Sequence, residues 1–460
     1  MPHLPHPSLS SLREHIKHLG KHHHTEEEEG SFQLPSPIPS PTTEHPEIAF
    51  TEKDKTDIAG LIAEYGSSSN TSWLEFSRYK IWRADKDIEG SSFRPVQGYL
   101  RSDPYVFAWG NPLVSDPAAL DETCYQFWKW CKNRKLKLIW CCADGEMEKV
   151  LGKNSRFGWS TVSCIVEDML DPKAVVELAK SSGSGAEVKD FKKNIRRAER
   201  AGITVREIKW EAWTDAQKKE VEEGVASWKK HKKSANSMQI ASTSFQPWVD
   251  AEHRRYWVSE HQGKIVGLVV LSRIHHDQYQ IKNHAAFPNA PHGTSEYLIY
   301  QAMDALNSES DEPGTNGAVF WEQNSSGHGH DGSADAPSES SSAVVSPSAS
   351  QSGHTSSNHA ERPDKTFGAE DATSDQLRRV SVTFGITASE ELTPVDNLKG
   401  WRVSFLTKTY NTIISHTGIT KRGDYRSKFH TVHLPMYVCF PRKQGFGVEG
   451  ATKLIKCLRQ

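Results

Sequence analysis

The stretch 263–306 holds the residues of this chain best spaced for chemistry. It opens with the β-rich run Gly263-Lys264-Ile265-Val266-Gly267-Leu268-Val269-Val270-Leu271, entered through a Gly-Lys turn. A second polar–apolar segment covers 278–287, and Pro288-Asn289-Ala290-Pro291-His292-Gly293 follows at once. A helical pattern then runs over 294–306. A strand pair feeding a Pro/Gly loop and then a helix leaves unpaired backbone N–H groups facing whatever sits in front of the loop. Glu296 falls in the first turn of that helix, where an acid also favours the helix dipole. His284 lies on the strand entering the loop, within Lys282-Asn283-His284, and His292 lies in the loop itself. An imidazole that titrates near neutrality can take the proton of a hydroxyl.

Positive charge gathers in two places upstream. Val188, Phe191, Ile195 and Ala198 fall at i, i+3, i+7 and i+10, one buried stripe of a helix that Gly202 stops. The opposite face carries Lys192, Lys193, Arg196, Arg197 and Arg200. A second helix over 215–230 runs into Trp228-Lys229-Lys230-His231-Lys232-Lys233. The formal net charge is only −2, so these patches are local, and no global basic excess forces a nucleic-acid partner. Taken alone, each patch reads first as a solvated helix face and only second as a seat for a polyanion.

At 460 residues the chain can hold two to three domains. Its mean hydropathy of −0.64 is low, which points to polar segments diluting a folded core. No apolar run approaches the roughly 18–20 residues of a membrane span. The N-terminus is too rich in Pro and His for a secretory signal. Seven cysteines sit at irregular spacing with no C-x-x-C pair. They read as reduced thiols of a cytosolic protein rather than as a metal site.

The elements that must position the chemical residues form an α/β pattern. Residues 1–68 are expected to be disordered, with the Pro35-Ser36-Pro37-Ile38-Pro39-Ser40-Pro41 run excluding helix and inner strand. Within them Leu9, Leu12, Ile16 and Leu19 have helical spacing, with Arg13, Lys17 and Lys21 near that face: a transient helix, or one lying on a membrane. A first unit over 69–185 reads as strand at 72–76 and 98–109, helix at 116–132, strand at 136–142, short helix at 146–151 and strand at 159–167. A second unit spans 186–440: the basic helix, a strand at 203–208, the 215–230 helix, the strand pair, the loop and its helix. A disordered insertion interrupts it at 307–373, rich in Ser, Gly and His. The fold resumes with a strand at 377–385 and ends with one at 436–440, leaving 441–460 as a tail.

Four segments of the second unit, taken in order, resemble one family. They are Phe191-Lys192-Lys193-Asn194-Ile195-Arg196-Arg197-Ala198-Glu199-Arg200-Ala201-Gly202; the loop Pro288 to Gly293 with Glu296 behind it; Val380-Ser381-Val382-Thr383-Phe384-Gly385; and Tyr425-Arg426-Ser427-Lys428-Phe429 with Pro435 and Tyr437. They resemble the C-terminal catalytic domain of bacterial phosphatidylglycerol lysyltransferases over roughly 70–440, the insertion excepted. The resemblance implies a tandem acetyltransferase-like (GNAT) α/β fold that takes an amino acid from aminoacyl-tRNA and esterifies a lipid hydroxyl. It implies that Glu296 receives the α-ammonium of the amino acid, and that His284, or His292 in the loop, moves the proton. Asn289, Pro291, Gly293, Gly385 and Tyr437 would line the substrate. Lys192, Lys193, Arg196, Arg197, Arg200, Lys229 and Lys232 would follow the tRNA, with Arg426 and Lys428 on its terminal phosphates. The family often carries an acid on the strand that holds His284, and here that strand has none.

Fungal relatives of this domain aminoacylate ergosterol, one form fused to an aspartyl-tRNA synthetase, another freestanding and using glycyl-tRNA. With no synthetase ahead of the domain, the chain is more similar to the freestanding form. That implies glycyl-tRNA and a sterol or other hydroxyl lipid as partners, no cofactor beyond the aminoacyl-tRNA co-substrate, and a cytoplasmic protein working at membranes or lipid droplets. Three other readings remain. An acetyl-CoA-dependent N-acetyltransferase would carry a Gln/Arg-x-x-Gly-x-Gly/Ala loop, which is not found. A peptidoglycan-type aminoacyl transferase would attack amines. A non-catalytic tRNA- or lipid-binding relative would use the same patches without chemistry.

Overall fold

The computed structural model describes residues 51–182, 185–234, 245–310, 380–417 and 425–458. The helical spacing at 8–19 and the His-rich tract lie outside these residues, as do 311–373 of the insertion and 377–379 of the strand expected after it. Residues 51–68 depart from expectation, since helix α1 (Glu52–Tyr65) occupies them. Its start is fixed by a reciprocal cap. The Asp54 amide donates to Thr51 Oγ1 at 3.1 Å, and the Thr51 amide donates to Asp54 Oδ2 at 2.9 Å. Ile58, Ala59, Ile62 and Ala63 then bury one face. That stripe is short and follows a Pro-rich N-terminal region, which hid it.

Among the described residues, eleven strands form one sheet. In chain order they are β1 (Lys80–Arg83), β2 (Val96–Ser102), β3 (Tyr105–Trp109), β4 (Lys137–Ala143), β5 (Ser160–Leu170), β6 (Thr204–Ile208), β7 (Arg254–His261), β8 (Lys264–His275), β9 (Gln278–Ala286), β10 (Ser381–Pro394) and β11 (Val432–Phe440). Their order across the sheet is β1-β2-β3-β4-β11-β5-β10-β9-β8-β7-β6. All neighbours are antiparallel except β3 with β4 and β9 with β10. A parallel pair needs a crossover, and each has a helix: α2 (Leu120–Asn133) between β3 and β4, and α7 (Thr294–Ser310) between β9 and β10. The two repeats of this unit give the expected tandem acetyltransferase-like α/β fold. They interlock, because β11 from the end of the chain lies between β4 and β5 of the first half.

Helices cover both faces. Next come α3 (Gly145–Glu148), α4 (Pro172–Lys180), α5 (Ala186–Arg200) and α6 (Asp215–Ser234). On one face of the second half α5 contributes Phe191 and Ile195, and α7 contributes Leu298, Ile299 and Met303, against Trp257, Val269 and Leu271. Alternate residues of the same strands, Tyr256, Val258, Leu268 and Val270, meet Val221 and Val225 of α6 on the other face. Near the C-terminus stand α8 (Trp401–Thr417) and α9 (Val448–Leu458).

Three local expectations change. Segment 72–76 is no strand: Asn70–Leu74 form a 3-10 turn. Trp73 is fully buried there and donates from Nε1 to the Trp109 carbonyl at 2.8 Å, so its aromatic character reflects packing rather than pleating. Residues 307–310, read as insertion, are the last turn of α7. The expected tail at 441–460 contains α9, which buries Ala451 and Cys457. All seven cysteines are buried and unbridged.

Candidate functional site

The site forms where two parallel strands part. β10 pairs with β9 only from Ser381 to Thr383, opposite Gln278 to Gln280. Beyond that, Gly385 takes φ +80°, and its register with β5 shifts between Thr383 and Ile386. A Cβ at Gly385 would sit 2.5 Å from Gln280 Nε2, so glycine is required at this bend. β9 runs on from Ile281 to Ala286 alongside β8 alone. The loop at its end is held by the Phe287 amide donating to Val266 O at 2.8 Å and by Thr294 Oγ1 donating to Pro291 O at 2.7 Å. Gly293, at φ +92°, presses this loop onto α5: a Cβ there would lie 2.0 Å from Asn194 O.

Two carboxylates anchor the face that α5 and α7 cover. Glu296, in the first turn of α7, is buried, and Asn194 Nδ2 of α5 donates to its Oε1 at 3.0 Å. Lys428 Nζ stands 3.5 Å from the same oxygen and 2.9 Å from Asp190 Oδ2. Asp168, on β5, is fully buried. Arg426 Nη1 donates to its Oδ2 at 2.6 Å, Thr387 Oγ1 donates to that oxygen at 2.9 Å, and His433 Nδ1 lies 2.7 Å from Oδ1. The short segment from Tyr425 to Lys428 therefore staples both acids. Its Tyr425 ring stacks on His284, with centroids 5.5 Å apart, and its hydroxyl bonds to Ser295 Oγ at 2.8 Å.

The electrostatics follow from these partners. Burial pushes the Asp168 carboxyl up, but hydrogen bonds from His433 and Arg426, with the Arg426 charge, outweigh it and leave it below the ordinary 3.8. The Asp168 hydrogen bond raises His433 above 6.5 against opposing desolvation. Burial lowers Lys428, but Asp190 and Glu296 reverse this and hold it above 10.5. Burial, with the Glu296 charge next in weight, keeps the Tyr425 phenol protonated. On the opposite side of β9, Lys282 is buried and donates to Thr71 O at 2.9 Å. Desolvation brings its pKa down to about 8.

The family model of the phosphatidylglycerol lysyltransferase C-terminal domain matches residues 65–312, more than half of the 460-residue chain. The chain belongs to this family. Two solved structures share the fold. One is the C-terminal domain (DUF2156) of a protein named as a lysylphosphatidylglycerol synthetase from Agrobacterium fabrum, 12% identical, covering 88% of this chain and 98% of that one with a TM-score of 0.55. The other is L-PGS from Bacillus licheniformis, 11% identical, covering 88% and 95% with a TM-score of 0.55. No curated protein matches by sequence.

This lysyltransferase-family fold gathers some of the expected site residues and separates others. His284, Glu296, Gly293, Gly385, Arg426 and Lys428 converge around the diverging strands. Asn289 and His292 are exposed on the loop, and Pro291 is partly buried. Tyr437 lies elsewhere, on β11 opposite Ala143, packed among the aromatic residues of the first half. Arg426, expected at tRNA phosphates, is turned inward: it also donates to Gly385 O at 3.1 Å, and its side chain is only 13% exposed. Lys193, Arg196, Arg197 and Arg200 are exposed on α5, whereas Lys192 donates to Ser181 Oγ at 3.1 Å. Lys229 donates to Phe245 O at 3.3 Å, and the Lys232 side chain lies outside the described residues. Sequence reading missed Asp168, Asn194 and His433. The usable signal was Glu167-Asp168, two acids in succession after the β-rich run Val162 to Val166. That strand runs to Leu170, three residues past its expected end.

Proposed function

We propose that the protein moves the aminoacyl group of a charged tRNA onto the hydroxyl of a membrane lipid. Glycyl-tRNA and the 3β-hydroxyl of ergosterol are the pair to test first, from the resemblance to the freestanding fungal members. One observation carries the reading. Glu296 is a carboxylate buried at the mouth of the diverging strands, and among the described residues both of its hydrogen bonds fall on Oε1. Its side chain keeps 10% exposure. Oε2 is thus the acceptor left to meet an α-ammonium, a strong charge-assisted contact where water is scarce.

The helix that donates to Glu296 also carries the exposed basic face. Asn194 points into the site while Lys193, Arg196, Arg197 and Arg200 stand outside, so α5 links a phosphate-binding surface to the acid. An aminoacyl ester on tRNA is already activated, and the enzyme's task is to position it and steer one proton. The lipid hydroxyl attacks the ester carbonyl, the bond to the tRNA ribose breaks, and the ribose oxygen takes the proton the lipid gave up. His284, on the strand that enters the loop and stacked on Tyr425, is the proton carrier of this proposal. Asp168 with His433 supplies, on a neighbouring strand pair, the acid that the His284 strand lacks.

The test is purified protein with a panel of individually charged tRNAs and vesicles containing ergosterol or phosphatidylglycerol, with lipid esters read by mass spectrometry. Transfer from one charged tRNA to one lipid is expected. Failure with every tRNA, together with turnover of acetyl-CoA, would replace this reading with the acetyltransferase one.

A further inference from the structure

Among the described residues no helix is long and apolar enough to cross a membrane. Helix α8 nevertheless shows an apolar face to water. Trp401 is 74% exposed and Phe405 42%, four residues apart and so on one side of the helix. The other side is fixed to the sheet: Leu406 is buried, and the Tyr410 hydroxyl lies 2.5 Å from Cys164 O and 2.7 Å from Ser389 O. The exposure is therefore built in, since α8 cannot roll to hide the indole.

The surroundings of that face are basic. Lys399, Arg402 and Lys408 are exposed on or beside α8. The Arg402 guanidinium stands 5.9 Å over the Trp401 ring and donates to the carbonyl of Arg442, which with Lys443 adds two more exposed bases. The single acid of this stretch, Asp396, is turned partly inward, and its amide donates to Thr161 Oγ1 at 3.0 Å. The exposed acids of β10, Glu390 and Glu391, adjoin Ser389 and so lie toward the Tyr410 end. Indole and phenyl groups ringed by Lys and Arg match the boundary of an anionic bilayer, where the rings enter the headgroup layer and the cations meet phosphate.

We propose that the Trp401–Phe405 face of α8 docks on an anionic membrane surface. The choice of a membrane as partner rests on the lipid acceptor proposed above. β10 gives this geometric sense: its residues 384–387 border the site, and Ser389 two residues on holds α8.

The experiment is sedimentation with phosphatidylcholine vesicles, with and without phosphatidylserine, in the absence of tRNA. Wild-type protein should pellet with the phosphatidylserine vesicles. Trp401→Ser with Phe405→Ser should weaken this by about tenfold or more at any salt concentration. Lys399→Glu with Arg402→Glu should weaken it by about tenfold at low salt and little at high salt. Both variants should keep the wild-type melting temperature and transfer to a detergent-dispersed acceptor. Pelleting of either variant like wild type at low salt would overturn the proposal. So would loss of a self-dimer in the Trp401→Ser, Phe405→Ser variant with vesicle binding intact, which would make a second copy the occupant. Because no tRNA is present, failure of the transfer chemistry leaves this result independent.

Discussion

The two strand–helix–strand units of the sheet are built alike and differ at the point where a site could form. In the first, β3 and β4 pair over five residues, Tyr105–Trp109 against Lys137–Cys141, and the Gly110 amide extends the contact to Cys141 O at 2.9 Å. Phe107, Ile139 and Trp140 fill both faces, fully buried. In the second, pairing stops after three residues and the strands part at Gly385. The first-turn acids differ in the same sense. Asp121 and Glu122 of α2 face solvent and pair with Arg156, whereas Glu296 of α7 is buried with Asn194 and Lys428. A shared scaffold is closed by aromatic packing on one side and opened around desolvated charge on the other. Desolvated charge lowers stability unless it is fully partnered, and the proposed site falls in the unit that carries it.

The largest expected effect breaks this contrast in stability. Arg426→Ala leaves Asp168 charged, buried and held mainly by His433. Denaturant unfolding should show a loss of about 3–5 kcal/mol. Arg156→Ala, on the exposed pairs of the first unit, should cost under about 1 kcal/mol. Equal losses would mean that the Asp168 cluster is no more desolvated than the surface.

The next concerns activity. Glu296→Gln keeps the shape and the Asn194 contact but removes the charge. It should lower kcat/KM for aminoacyl transfer by about 100-fold, with an unchanged melting temperature within a few degrees. Glu122→Gln should leave transfer within about twofold of wild type. If both variants transfer normally, the working site is not at α7.

The smallest effect is a pH dependence. His433 has a raised folded-state pKa, so its pairing with Asp168 stabilises fully below about 6.5 and is lost as pH rises through the raised value. Asp168 is depressed, so its contribution is present above 3.8 and lost as pH falls through the lowered value. The melting-temperature gap between wild type and His433→Ala should therefore be widest near pH 6 and narrow as pH rises past His433's raised pKa. A gap that does not change with pH would assign His433 a packing role.

What the sequence determined by itself is local in its physics. The stripe Val188, Phe191, Ile195 and Ala198 prescribes α5 and its outward basic face, because periodicity is written in consecutive residues. The run 263–271, the second strand and the Pro/Gly loop prescribe β8, β9 and the start of α7, so Glu296 and His284 could be named before any fold was known. Only the tertiary structure decided which strands meet. β11 is some 260 residues from β5 in the chain, yet it brings His433 to Asp168 at 2.7 Å. No local pattern records that pairing, since it depends on the order of strands across the sheet. The same long-range packing turned Arg426 from a surface base into the partner of a buried acid, carried Tyr437 into the first half, and left Trp401 facing water. Burial is a property of the assembled sheet and its helices, and it decides which of the charged residues visible in the sequence can be desolvated, paired and put to use.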